Sequence, residues 1–289
     1  MTAIRQIVTH PGSAHKDDFL ACSLLVHLHG VPIFRREPTR EDLDDSATCV
    51  VDVGGEHEPD RRNFDHHQFP RDHEPICALS LVLQDLGLYE DGKAFCEWLE
   101  PAEWLDCLGP IETSQKLGVE RDIITKLVSP IDVTLLRRFA GFNELNAPEP
   151  LWHIMQMVGE DLIGYLRSLR NRLNEIATQA EWWDITGGHA PLQALFLPRT
   201  DSLRGEASFG LGRFIEEQGK DDSVIAMVYA DRRGSGYGMS RHNDDPRMDF
   251  TRITDREDVH FAHPRGFVAK TTATDTVRLR ELLKLAFVE

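Results

Sequence analysis

Residues 49–55 read Cys49-Val50-Val51-Asp52-Val53-Gly54-Gly55, an apolar run broken by one acid and closed by a glycine pair. A run without polar alternation fits a central parallel strand, buried on both faces. Upstream, Ile4 to Thr9 predicts a short buried strand, and His10, Pro11 and Gly12 predict a turn. Asp17 to His29 predicts a helix with apolar positions at Phe19, Leu20, Leu24, Leu25 and Leu28, closed by Gly30. Val31 to Phe34 supplies a second strand. Strand, helix, strand, strand in this order implies an α/β domain built on a parallel sheet.

Working outward, residues 75–126 are helical in pattern. Leu162, Leu166, Leu169, Leu173, Ile176 and Ala180 alternate steps of four and three, one stripe of a long amphipathic helix from about Trp152 to Trp183. Such a stripe is read as core packing. The pattern changes after Gly187-Gly188. Leu192–Leu197, Ser223–Tyr229, Tyr237–Ser240, Val259–Phe261 and Gly266–Ala269 look like strands, Phe209–Gln218 and Asp275–Phe287 like helices. The expected organisation is therefore a domain over residues 1–150, a linking helix over 151–186, and a smaller α+β domain over 187–289.

The composition narrows the function classes. With 289 residues and 41% hydrophobic content, the chain can bury a substantial core. A formal net charge of −16 argues against a protein that coats nucleic acid, which needs a basic surface. It leaves room for a nuclease whose metal ions supply positive charge locally. No apolar stretch is long enough to cross a membrane, and the N-terminus lacks a signal-peptide core, so a cytoplasmic location is expected. The five cysteines form no CxxC pair, which fits reduced, mostly buried thiols and not a cysteine-built zinc site.

The chemistry concentrates in four clusters. His10, His15, Asp17 and Asp18 lie at the first strand-to-helix turn, Asp52 at a strand end, Asp65-His66-His67 after a turn, and Asp132 in the segment Ser129-Pro130-Ile131-Asp132-Val133. An acid in an apolar strand needs a partner to stay ionised, and a divalent cation is a strong one. Ligands of open α/β sheets gather beyond the carboxyl ends of the strands, where two of these clusters fall. A mixed His/Asp set suits Mn²⁺, Zn²⁺ or Fe²⁺, whereas Mg²⁺ keeps more water. Six candidate ligands with one bridging carboxylate match a two-metal hydrolytic site, which activates water and clamps the oxygens of an in-line phosphoryl displacement. Each cluster also has an ordinary reading: a surface His10, an acidic helix start, a hydrogen-bonded Asp52, an exposed loop. The metal reading explains all of them at once.

These residues resemble the DHH phosphoesterase superfamily, named for the triplet that stands here at Asp65-His66-His67. Closer still is the resemblance to the melanocyte-proliferating-gene exonuclease family. It rests on Thr9 to Leu25, Val50 to Gln68 and, more loosely, His260 to Thr271. The resemblance implies a DHH-type N-terminal domain and 3′–5′ exonuclease action on RNA or short oligonucleotides, typically with two Mn²⁺. It implies one metal held by His10, His15 and Asp52, and another by Asp17, Asp52, His66 and Asp132, with Asp52 bridging. It gives His67 the scissile phosphate and Asp65 an orienting role, and it offers His263, Arg265 and Lys270 as substrate contacts; Arg241, after the Gly-rich strand at residues 234–240, is a further candidate because Arg suits bidentate phosphate contact. Two other readings stay open: hydrolysis of a small phosphoanhydride or cyclic dinucleotide, and a metal- or nucleotide-binding module without turnover. A homo-oligomer is compatible with either. The chain departs from the family pattern in three places. Lys16 stands where a Cys is usual. Val133-Thr134 follows Asp132 where a second Asp and an Asn-Gly pair are usual. Ala269-Lys270-Thr271 stands where Gly-Gly-Asn often follows the Gly-Phe pair.

Overall fold

The computed structural model describes residues 3–187, 191–200 and 206–288. Gly188 and His189 lie outside the described residues. The chain divides into two compact units, one ending at Arg167 and the other beginning at Ser168.

The first unit runs β1 (Gln6–Thr9), α1 (Lys16–His29), β2 (Ile33–Arg35), α2 (Arg40–Asp44), β3 (Thr48–Val51), β4 (His57–Glu58) and β5 (Asn63–Phe64). Then come α3 (Ala78–Asp85), α4 (Tyr89–Phe95), α5 (Leu99–Leu117), α6 (Arg121–Lys126), α7 (Pro130–Ala140), β6 (Glu144–Leu145) and the long helix α8 (Pro150–Gln179), inside which the unit boundary falls. The sheet order is β4-β5-β3-β1-β2-β6. β1 pairs in parallel with β2 and β3, and β3 in parallel with β5, so the Cys49-to-Val51 run is interior, as its uninterrupted apolar pattern predicts. β4 and β6 add antiparallel edges.

The strand containing Cys49 ends one residue before Asp52, which turns to φ 59°. A left-handed backbone is uncommon outside glycine and is tolerated best by Asn and Asp. Helix α1 packs on α3, α5 and α7. On the opposite side, Val8, Leu43, Val50 and Val53 form a small apolar cluster. Helix α5 is broken at Gly109, whose φ of 74° lies outside the helical region, just before Pro110.

The second unit contains β7 (Glu181–Asp184), β8 (Gln193–Phe196), α9 (Leu211–Glu217), β9 (Val224–Ala230), β10 (Tyr237–Arg241), β11 (Val259–Ala262), β12 (Val268–Thr271) and α10 (Thr276–Ala286). The sheet order is β11-β12-β10-β9-β8-β7, antiparallel except for the β8–β9 pair. Leu279, Leu282, Leu283 and Ala286 of α10 share one buried core with Val228 and Met239 of the sheet. Asp275 caps α10, accepting hydrogen bonds from the backbone of Val277 and Arg278.

One element differs from its sequence reading. The long helix stops at Gln179, and Glu181 to Asp184 form a strand. Trp183 is buried there, stacked on Phe196 with ring centroids 4.0 Å apart. That aromatic packing across the β7–β8 pair overrides the helical stripe, in which Ala180 was the last position.

Candidate metal centre

Helix α1 begins where the turn after β1 must change direction, and the turn's side chains build the site. Asp18 accepts a hydrogen bond from the His15 backbone at 2.9 Å, closing the N-terminal cap. Its other oxygen faces Arg35 at 3.4 Å and His10 Nε2 at 3.1 Å. The Arg35 side chain is buried, and its guanidinium donates to the carbonyls of Gly12, Ser13 and Phe139 while lying 4.5 Å over the Phe139 ring. The planar guanidinium thus ties the loop carrying His10 and His15, through Gly12 and Ser13, to Phe139.

Asp52 stands at the centre. Its two oxygens face His10 Nε2 at 3.4 Å and His66 Nε2 at 3.1 Å, and His67 Nδ1 lies 3.7 Å away. Asp65 accepts from the Gly55 backbone at 2.6 Å and from the His67 backbone at 3.1 Å, and the His67 ring is 2.7 Å from the same oxygen. Asp65 is buried, whereas the His67 ring is 64% exposed, so the acid orients a histidine that faces outward. His66 also meets Asp106 Oδ2 at 3.0 Å, and His15 Nδ1 meets Asp106 Oδ1 at 3.5 Å. Cys107 Sγ lies 3.7 Å from the remaining His66 nitrogen.

The electrostatics are those of a site with an excess of acid. The carboxylates of Asp18 and Asp52 hold the His10 ring up to about 10. Burial opposes charge on His66, yet Asp106 and Asp52 push that ring up to about 12. Burial would raise Asp52, but the His10 and His66 rings draw it down to about 2. Asp17 has no such partner. Both of its oxygens are buried without a hydrogen bond. Burial, together with the carboxylates of Asp52, Asp106 and Asp18, raises it well above the usual carboxylate range.

A buried carboxylate with two orphaned oxygens, among acids and imidazoles, fits a divalent cation, which would relieve the repulsion that raises it. The donor atoms converge to match. Ligand atoms of Asp52, Asp65, His66 and His67 lie within 4.8 Å of one another. So do those of His10, His15 and Asp52, those of His15, Asp17 and Asp106, and those of His66, Asp106 and Cys107. The structure thus brings His10, His15, Asp17, Asp52, Asp65, His66 and His67 together.

Asp132 is not brought to them. It lies in the first turn of α7, 42% exposed, with Lys16 Nζ at 2.9 Å. The acid beside His66 is Asp106, from α5. The sequence carried a signal for it: an acid among Trp104, Leu105, Cys107 and Leu108. The predicted substrate residues of the second unit differ in role. Lys270 Nζ binds Asp231 at 2.9 Å and lines a cavity of about 560 Å³ with Tyr229, Arg232 and Arg233. Arg241 is engaged internally, with the Met248 carbonyl and Asp244. His263 and Arg265 occupy the turn between β11 and β12, with the His263 ring 4.1 Å from Phe267.

Residues 6–75 match the family model MYG1_exonuc, described as Uncharacterised protein family (UPF0160). Over 67 residues the chain is 48% identical to the MYG1 exonuclease of Homo sapiens, covering 22% of this chain and 17% of the human protein. Over 66 residues it is 41% identical to the MYG1 protein of Chlamydia trachomatis, covering 22% of each. The chain thus matches between about a sixth and about a fifth of the length of these relatives. Among solved structures, a pGpG-specific phosphodiesterase, PggH, from Vibrio cholerae aligns over 98% of both chains with a TM-score of 0.29 and 12% identity, a likeness too low to carry an argument. The stretch matched by the family model contains His10, His15, Asp17, Asp52 and the Asp65-His66-His67 triplet, and over this stretch the chain is similar to the MYG1 exonuclease family.

Proposed function

We propose that the first unit is a divalent-metal-dependent phosphodiesterase, acting as a 3′–5′ exonuclease on RNA or short oligonucleotides, with two Mn²⁺ as its cofactor. The observation that carries this reading is the buried Asp17 carboxylate, unpartnered beside Asp52 and Asp106. His10, His15 and Asp52 would hold one ion. Asp17, Asp52, His66 and Asp106 would hold the other, with Asp52 shared. Bound there, the ions would supply Lewis-acid activation of water and charge neutralisation at phosphorus.

The chain's own residues do the rest. Arg35 and Asp18 fix the His10–His15 turn. Asp65 accepts from the His67 ring, which keeps the ring's other nitrogen free for the scissile phosphate. Asp52, drawn down to about 2, stays ionised through the neutral range. Within the second unit, the Lys270 cavity is a candidate phosphate contact.

The test is hydrolysis of a 5′-labelled short RNA with Mn²⁺, run beside a chelator control and the Asp52→Asn variant. A ladder shortening from the 3′ end and lost in both controls is expected. Cleavage that survives in the variant would overturn the assignment.

A further inference from the structure

Within the first unit, the candidate metal centre borders a cleft of about 410 Å³ with two unlike walls. His15, Asp17 and Asp106 form the acidic wall, and Trp98, Leu105 and Leu136 contribute an apolar one. Past Lys16, Trp98 and Leu136 lies a second space of about 300 Å³, bounded by Phe19 and Leu20. Trp98 stands just before α5 and is 38% exposed, and Leu105, two turns along, is 41% exposed. An indole and an isobutyl group left in water beside a buried acidic cluster are not completing a core. The same cleft receives Asp17, whose oxygens have no protein partner.

We propose that this cleft is a nucleobase subsite, in which the base of the reacting nucleotide lies against the Trp98 indole, flanked by Leu105 and Leu136. The inference rests on the phosphodiesterase reading and names what that site grips. Two features choose a nucleotide over a purely apolar occupant. The walls pair a flat aromatic surface with a ligand set suited to a metal-bridged phosphate, and a nucleotide carries both a π-face and a phosphate. The cleft's volume also lies in the range of small-ligand pockets, roughly 300–1,000 Å³. Stacking on an aromatic platform is tolerant of base identity, because every base has a π-face.

Lys16 adds a cation to this acidic mouth and lines both spaces. Its partner Asp132 is half-exposed, and an ion pair of that kind contributes little, so the ammonium is available to a phosphate.

The experiment compares 5′-AMP with ribose 5-phosphate on the Mn²⁺-loaded full chain, read by calorimetry and by quenching of tryptophan fluorescence. AMP should bind about tenfold tighter or more, from stacking alone. Trp98→Ala should remove that preference while leaving ribose 5-phosphate affinity unchanged, and Trp98→Phe should keep most of it. Lys16→Ala should weaken both ligands alike. Equal affinity for the two ligands, or a preference that survives in Trp98→Ala, overturns the platform whatever the metal content. Elemental analysis of the same samples judges the metal site separately: chains that hold no divalent metal overturn that reading on their own.

Discussion

Asp106 Oδ2 lies 3.0 Å from His66 Nε2, joining helix α5 to the loop after β5. The same carboxylate reaches His15 on its other oxygen. It therefore touches both histidine groups of the site, a position that Asp132 does not share.

This relationship ranks two acids. Asp106→Asn keeps the shape of the side chain and should lower Mn²⁺ affinity about 10- to 100-fold, the scale seen when a group orienting or completing a metal site is lost. Asp132→Asn removes a surface ion pair and should change affinity by less than about threefold. Calorimetric metal titrations of the two variants decide the matter, and the reverse ranking would return the ligand role to Asp132.

His67 is held at 2.7 Å by Asp65 and is otherwise open to solvent. His67→Ala should spare metal content and reduce turnover about 10²- to 10⁴-fold, the range for a positioned proton-transfer group. A matching loss of metal in that variant would make His67 a ligand instead.

The metal-free protein should lose stability as pH rises. His10 is held up to about 10 and His66 to about 12, both above the ordinary value of 6.5. A group raised on folding contributes stability that is fully present below its unfolded value and is lost as pH climbs through the folded one. In chelator, the melting temperature should therefore fall steadily from pH 7 towards 9. With saturating Mn²⁺ the decline should be shallower, because metal binding to imidazole already displaces its proton. Identical slopes with and without metal would contradict the ligand assignment of these rings.

Gly159 on α8 makes a close approach to α1. A Cβ there would stand 2.1 Å from the Ser23 carbonyl oxygen and 2.7 Å from its carbon, both backbone atoms. Gly159→Ala should cost about 1–3 kcal/mol by overpacking and disturb the helix that carries Asp17 and Asp18. Gly164→Ala meets nothing within 4 Å and should gain up to about 1 kcal/mol from helix propensity. Urea unfolding of both variants checks the contrast.

Much of the first unit was legible because its signals are local. The apolar run ending at Asp52, the turn from His10 to His15 and the Asp65-His66-His67 triplet each carry their meaning within a few residues. The parallel pairing of β3 with β1 and β5 follows from that run. Asp106 escaped because its role depends on how α5 packs against α1, a contact that no spacing along the chain encodes. Asp132 is the reverse case: its segment has the look of a motif along the chain, and α7 places the acid against Lys16. The helical pattern overruns the end of α8 because the Trp183–Phe196 stack is a contact across strands, which helical periodicity does not report.

Metal stoichiometry distinguishes a two-ion centre shared through Asp52 from any other arrangement of these ligands. Asp52→Asn suits this test, since Asn tolerates the left-handed backbone at φ 59° and the change removes only the charge. Elemental analysis after Mn²⁺ loading and desalting should find about two ions per wild-type chain, as a two-metal site requires, and near none per variant chain. A variant that still holds two ions would show that Asp52 does not bridge them.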